Sequence, residues 1–269
     1  MTISKVSSLA FLCAAILAAQ DKVTVPLSNP AQPATLRVHL MQGGITVTGG
    51  AAGQIVIESG VTQSGKAETR LPKDVPPGMK RIDSARAGMD VTEDHNVVTI
   101  STGHMTGANL VIQVPANCSL QLKTMNGGGI EVTGVSGELD LDNLNGPITL
   151  RNVSGSVLAH SLNGAVTAVL DKVTPDKPMA FTSMNGKIDV TLPGDTKARV
   201  RLKTDHGAVY SDFEVKMEAD AAKPVTEDAR SNGGKYRIKI DRSLYGSING
   251  GGPEYRFETM NGNILIHRK

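Results

Sequence analysis

The chain has 269 residues, with 28 basic and 26 acidic side chains and a net charge of +2. This balance gives no electrostatic reason to expect nucleic acid or an anionic membrane as a partner. Aromatic residues make up only 3% of the chain and tryptophan is absent, which argues against stacking platforms for bases or sugars.

Residues 1–20 are predicted to be a secretory signal peptide. Lys5 supplies a positive charge, and an apolar run from Val6 to Ala19 follows and ends in small residues. The run is too short to span a bilayer comfortably, and polar sequence follows it. An uncleaved N-terminal anchor is the alternative. Cleavage would leave 27 basic and 26 acidic residues, no transmembrane segment and one cysteine, Cys118, which cannot form an intrachain disulfide.

The segment after the signal is rich in predicted strands but irregular. Apolar and polar residues alternate over 36–40, and similar short runs follow at 43–47, 97–100 and 110–114. Between them, residues 62–90 are polar and rich in Pro, Lys and Asp. So long a stretch predicts either a disordered insertion or a functional loop.

A nine-residue repeat runs through the middle of the chain. Glycines recur at Gly128, Gly137, Gly146, Gly155 and Gly164. An aliphatic residue follows two positions later each time: Ile130, Leu139, Ile148, Val157 and Val166. The residue before each new glycine alternates between serine and asparagine: Ser136, Asn145, Ser154 and Asn163. The true period is therefore eighteen, which indicates a coil with two short strands and two different corners.

The asparagine corners predict how successive coils meet. Stacking would place Asn126, Asn145, Asn163 and Asn185 above one another, each tolerant of a left-handed backbone and able to bond the next amide. The fifth coil would carry Thr204-Asp205-His206 at this corner. The apolar residues beside the asparagines, including Met125 and Met184, are expected to fill the core.

The corner spacing favours one fold over its rival. Asn-Gly between apolar runs is also typical of β-hairpins, so an antiparallel β-sandwich is the alternative. A hairpin meander has no reason to alternate its corners with period eighteen. We therefore predict an all-β, parallel β-helix-like solenoid with about 18–22 residues per coil.

The C-terminal part continues as strands after a second polar insertion at 218–234. Predicted strands cover 236–240, 255–257 and 263–266. Because no linker separates two independent cores, residues 21–269 are expected to form one domain.

At these residues the chain resembles the bacterial putative adhesin family of unknown function, whose members are cell-envelope β-solenoids. The resemblance covers most of residues 35–269. It is carried by 42–47, by 112–115 leading into 119–122, by the repeated Asn-Gly-x-Ile corners, and by 250–253 together with 259–264. Asp205 and His206 depart from the corner pattern. The family's name refers to surface attachment rather than to an established activity, and the resemblance supplies no catalytic residues.

One outward face holds the residues that come nearest to a catalytic cluster. Asp140, Asp142, His160 and Arg201 are predicted to share it, and a divalent metal could touch Asp142 and His160. However, exposed strands hold their side chains parallel, and Lys123 neighbours Asp142. A solvated, charge-balanced face is the preferred interpretation, with no catalytic, metal or cofactor site.

A second pair of carboxylates lies on the other face. Glu131 and Asp189 are predicted to be three coils apart, roughly 14 Å, which is too far for paired-carboxylate glycoside hydrolysis.

These observations predict an exported, non-enzymatic envelope interaction or adhesion module, periplasmic or at the cell surface. Its partner would be an envelope protein or a surface polymer. The alternatives are a polysaccharide-acting enzyme on a β-helix scaffold and an envelope-stress sensing or regulatory protein.

Overall fold

A computed structural model describes residues 21–51, 53–61, 89–102, 107–218, 225–228, 236–239 and 243–269. Within these ranges the chain forms twenty strands and no helix. The strands are β1 (Asp21–Pro26), β2 (Ala34–Gly49), β3 (Gln54–Val61), β4 (Met89–Asp94), β5 (Val97–Thr102), β6 (Ala108–Val114), β7 (Cys118–Thr133), β8 (Ser136–Asn145), β9 (Ile148–Ser161), β10 (Val166–Val173), β11 (Met179–Asn185), β12 (Ile188–Leu192), β13 (Ala198–His206), β14 (Val209–Ser211), β15 (Val215–Met217), β16 (Val225–Asp228), β17 (Tyr236–Lys239), β18 (Leu244–Ile248), β19 (Glu254–Asn261) and β20 (Ile264–Arg268).

Parallel pairing at a constant register makes the molecule a β-solenoid. Leu120 lies beside Leu139 in the neighbouring coil, and Leu139 lies beside Val157 in the next. On the other side of the corner, Ile130 pairs with Ile148 in the same way. The predicted solenoid is confirmed, and the antiparallel sandwich is wrong because the repeat strands pair in parallel.

Each coil contributes one segment to each of two stacks. The first stack has the order β4-β5-β2-β7-β8-β9-β11-β19-β13-β18-β15. The second stack has the order β1-β3-β6-β2-β7-β9-β10-β12-β20-β14. Antiparallel pairs close both ends of the first stack and the β1 end of the second, and short terminal strands limit the exposed sheet edges.

The order of the coils in space differs from their order in the chain. The C-terminal coil, β19 and β20, lies between the β11–β12 coil and the β13–β14 coil. The expectation that the Thr204–His206 corner stacks directly on Asn185 is therefore wrong, because Asn261 lies between them. The inserted coil also stacks the ring of Phe257 on that of Phe181, with centroids 5.4 Å apart.

Glycine at the asparagine corners allows the coils to approach closely. A Cβ atom on Gly146 would lie 2.2 Å from the carbonyl oxygen of Gly128, and one on Gly164 would lie 2.2 Å from that of Gly146. No side chain fits at such distances, so the repeating glycine is a steric requirement of coil stacking.

A polar residue lies three positions before each corner glycine, and most of these residues are buried. The buried members are Thr124, Asn143, Ser161, Ser183 and Thr259. Each donates to a glycine carbonyl of the neighbouring coil, and so does Thr204: Thr124 to Gly43, Asn143 to Gly128, Ser161 to Gly146, Ser183 to Gly164, Thr259 to Gly186 and Thr204 to Gly262. These bonds satisfy carbonyls at a bend in the strand, where an unpaired group would be costly.

The expectation that Met125 and Met184 fill the core is wrong. Strand alternation places Thr124 and Ser183 inside, so the following methionine points outward. The side chain of Met184 is 42% exposed.

The predicted asparagine ladder is confirmed and is one member longer than expected. Its four bonds run from Asn145 to Asn126, Asn163 to Asn145, Asn185 to Asn163 and Asn261 to Asn185, with N···O distances of 2.7–2.8 Å. None of these asparagines has a left-handed φ, so the left-handed backbone expected at these corners is wrong. The side-chain bond between coils explains asparagine here.

The two predicted insertions have different outcomes. Residues 62–88 lie outside the described ranges, whereas Met89 and Asp90 begin β4. The 218–234 segment contains β16, which pairs with β17 in a separate two-stranded sheet. The expected strand at 236–240 is therefore a hairpin arm rather than part of the main stack. The predicted signal peptide, residues 1–20, also lies outside the described ranges.

An interior ladder asparagine should matter more than a terminal one. Asn163→Ala removes two ladder bonds and Asn126→Ala removes one. We expect losses in unfolding free energy of about 1–2 and about 0.5–1 kcal/mol respectively, because the ladder is exposed and each neutral bond contributes modestly. Hydrogen exchange should accelerate at both the Asn145 and Asn185 corners in Asn163→Ala, since coils support only their neighbours. A change confined to residues 161–166 would contradict the coupling.

Phe257 should be a major source of stability for the coils on both sides of it. It is fully buried and stacks on Phe181. Phe257→Ala is expected to lower the free energy of unfolding by about 3–5 kcal/mol in urea titrations. Met260→Ala, on the same strand but 40% exposed, is the control and should cost about 0.5 kcal/mol. Equal losses in the two variants would show that the inserted coil is not packed as described.

Candidate functional site

The outward surface of the first stack is built from four columns of side chains. Strand alternation repeats the same outward positions in every coil, from β2 to β13. We call this surface face A. Its four outward residues per coil are Thr35, Arg37, His39 and Met41 in β2; Ser119, Gln121, Lys123 and Met125 in β7; Glu138, Asp140, Asp142 and Leu144 in β8; Ser156, Leu158, His160 and Leu162 at β9; Pro178, Ala180, Thr182 and Met184 at β11; Glu254, Arg256, Glu258 and Met260 in β19; and Arg199, Arg201, Lys203 and Asp205 in β13.

Charge on face A differs from coil to coil. The β8 row carries three carboxylates, the β19 row alternates Glu254, Arg256 and Glu258, and the β13 row carries three cations and Asp205. Between the β8 and β19 rows, the rows of β9 and β11 contain no Asp, Glu, Lys or Arg. We call these two rows the neutral section. Its exposed apolar groups include Leu158, which is 48% exposed, and Met184.

Three shallow depressions lie side by side across face A and share lining residues, and we call them together the groove. The first, of about 500 Å³, and the second, of about 330 Å³, share His160, Thr182 and Arg256. The second and a third of about 450 Å³ share Asp140 and Leu158. All of them border the neutral section, where Ala180 and Thr182 are short enough to leave a recess.

The predicted candidate residues come together in part. Asp140, Asp142 and His160 line the same depression, as expected from their neighbouring coils. Arg201 does not, because the inserted β19 places Arg256 in that position. Arg201 instead pairs with Glu258 at 3.4 Å.

Polar contacts at the groove distinguish satisfied side chains from available ones. A hydrogen bond of 2.7 Å joins His160 Nδ1 and Thr182 Oγ1. Within the described ranges, Asp140, Asp142 and Arg256 make no side-chain hydrogen bond or ion pair. These three charged groups are therefore available to a ligand. Across the same ranges, no group of three or more His, Cys, Asp or Glu side chains is arranged to hold a metal ion.

The sequence did not predict the apolar column at the corner edge of face A, because Met125, Leu144, Leu162 and Met184 were expected in the core. This column contains Met41, Met125, Leu144, Leu162, Met184 and Met260 and ends at Asp205. The alternation along β7 held the signal, because buried Leu120, Leu122 and Thr124 require an outward Met125.

The outward surface of the second stack pairs many of its own charges. Glu131 and Arg151 approach to 3.8 Å. His267 lies between Asp212, at 3.0 Å, and Asp189, at 3.5 Å. Glu131 and Asp189 are three coils apart, as predicted. This surface therefore offers fewer uncompensated groups than face A.

The chain matches a known protein family over most of its length. A family model described as Toastrack DUF4097 matches residues 18–266. The chain belongs to this family. No curated protein sequence matches it. Among solved structures, it is similar to the "putative cell adhesion protein" of Clostridium sporogenes ATCC 15579, with 12% identity, a TM-score of 0.49, and coverage of 93% of this chain and 100% of that one. In the described residues, no helix is long and apolar enough to cross a bilayer.

Cys118 should be unreactive in the folded protein. It is fully buried, and burial raises the pKa of its thiol to about 12. Because the thiolate is the reactive form, only about one thiol in ten thousand is ionised at pH 8. Maleimide labelling followed by peptide mass spectrometry is expected to modify Cys118 only after unfolding in urea. In a Cys118→Ser background, the exposed Gln121→Cys variant should label readily without urea, and equally rapid native labelling of Cys118 would contradict its burial.

Proposed function

We propose that the protein is exported and acts without catalysis as an interaction module of the cell envelope. Residues 1–20 serve as a cleaved signal peptide, and residues 21–269 form one domain. The partner is an envelope protein or a surface polymer, contacted through face A. Membership of the Toastrack family and the solenoid scaffold are compatible with this role.

The neutral section is the observation that carries the proposal. Leu158 and Met184 are exposed there, on a surface whose neighbouring rows are charged. The polar pair of His160 and Thr182 separates the Leu158 column from the Met184 column. Exposed apolar groups beside polar ones are typical of protein interaction sites. The unpaired Asp140, Asp142 and Arg256 at its border would orient a partner.

A polysaccharide-acting enzyme is the second candidate, and one observation favours it. Asp140, Asp142, His160 and Arg256 line the same depression and include groups capable of acid–base chemistry. Turnover of an acidic glycan that is lost in Asp142→Ala would establish this activity. Inactivity on a panel of such glycans, with and without divalent metal ions, would retire it.

Ala180→Lys should weaken partner capture. Ala180 lies in the floor of the groove, and a long charged side chain there would obstruct the neutral section. In affinity capture from envelope extracts, we expect components bound by the wild type to be recovered about tenfold less with Ala180→Lys, equivalent to about 1.4 kcal/mol.

Thr167→Lys, on the outward surface of the second stack, is the matched control and should capture as the wild type does. Equal thermal unfolding midpoints in the three proteins exclude misfolding. Capture that is unchanged in Ala180→Lys, or no enrichment by the wild type, would contradict face A as the contact surface.

A further inference from the structure

We infer that the occupant of face A is an amphipathic helix of a partner protein, lying along β9 and β11 with basic side chains on one flank and acidic side chains on the other. This inference rests on the proposed interaction function and names the chemistry of the partner.

The backbone of the neutral section explains why the occupant is a helix rather than a strand. On face A, β9 is paired with β8 and β11, and β11 is paired with β9 and β19. Both strands are interior to the stack, so no edge is available there for a peptide to extend the sheet. A segment docking at this place must satisfy its own backbone, as a helix does.

The residues of face A disfavour a glycan as the occupant. Its outward positions from β2 to β13 contain no Phe, Tyr or Trp. Aromatic surfaces would supply large, rigid contact area, whereas the apolar groups present here are Leu, Met, Ala and Pro. Leucine and methionine adapt to the side chains of a helix, and methionine is common on surfaces that receive helices.

The dimensions of the neutral section match one helix. Asp140 and Arg256 are separated by three coil steps, about 14 Å. A helix with its side chains is about 10–12 Å wide and fits between these rows. At the Ser156 end, Lys177 reaches across the β9 row to pair with Glu138 at 2.5 Å. The outward positions from Leu158 to Leu162 are not crossed in this way and extend about 13 Å along the strand, the length of about nine helical residues.

The charges beside the neutral section specify the flanks of the helix. Asp140 and Asp142 lie on one side and face the position of basic side chains. On the other side, β19 carries Arg256 between Glu254 and Glu258, and Glu258 pairs with Arg201. Of this row only Arg256 lines the depression shared with Asp140 and Asp142, so it faces the position of an acidic side chain. The intervening His160 and Thr182 bond each other through Nδ1 of the imidazole. Nε2 of His160 requires a polar side chain of the helix, because a buried ring nitrogen without a partner would be costly. The expected helix has apolar residues at i, i+3, i+4 and i+7 between its two charged flanks.

Selection from a displayed library of random 14-residue peptides tests the inference. The wild-type protein is the target, and Ala180→Lys is used for counter-selection. Enriched sequences should show apolar residues at helical spacing, Lys or Arg along one flank, and Asp or Glu along the other. The best synthetic peptide should bind Ala180→Lys at least about tenfold more weakly than wild type and Thr167→Lys equally well. Leu158→Asp provides a second obstruction if Ala180→Lys unfolds.

Charge reversal at Arg256 tests the flank assignment separately. In Arg256→Glu, both borders of the neutral section would be acidic, so selected peptides should become basic on both flanks. Peptides without helical periodicity, binding that survives both Ala180→Lys and Leu158→Asp, or no change in flank charge with Arg256→Glu would each overturn the inference.

Failure of the helix inference can be distinguished from failure of the proposed interaction function. Envelope capture that depends on Ala180, combined with a library that enriches no helical pattern, would remove the helix and retain the interaction role. Loss of both results would remove both proposals.

Discussion

Close approach of adjacent coils at the asparagine corner is the constraint on which the rest of the structure depends. Glycine is required there because a Cβ on Gly146 or Gly164 would meet the preceding coil's backbone at 2.2 Å. Beside the glycine, a buried hydroxyl or amide satisfies a carbonyl of the next coil, and outside it an asparagine bonds its counterpart. These three contacts fix the register of both stacks, and with it the side-chain columns of face A.

Insertion of the C-terminal coil joins this local geometry to the overall assembly. The corner contacts of β19 are equivalent to those of its neighbours, since Thr259 bonds Gly186 and Asn261 bonds Asn185. The chain end is thus held on both sides within the stack, where Phe257 packs on Phe181. The coil that comes last in the sequence is therefore an interior member of the solenoid.

The same insertion determines the chemistry of face A. It places Arg256, rather than Arg201, beside the neutral section. Arg201 lies one coil further away and forms an ion pair with Glu258. In the central depression, Asp140 and Asp142 therefore lie on one side and the guanidinium of Arg256 on the other. This polarity, across two rows with exposed Leu158 and Met184, makes face A a more specific surface than a uniformly solvated sheet.

The sequence by itself determined the fold class, the coil length and the asparagine ladder, because strand alternation and close glycine contacts are local and repeat with the chain. It also placed Asp140, Asp142 and His160 on neighbouring coils. Only the tertiary structure decided that β19 lies between β11 and β13, because the corners are interchangeable and their spacing does not specify which coil is adjacent. The tertiary structure likewise decided that Met184 points outward. Ser183 is buried and bonds a glycine carbonyl, so strand alternation directs the next side chain to the surface, whereas hydrophobicity alone predicts that Met184 is buried.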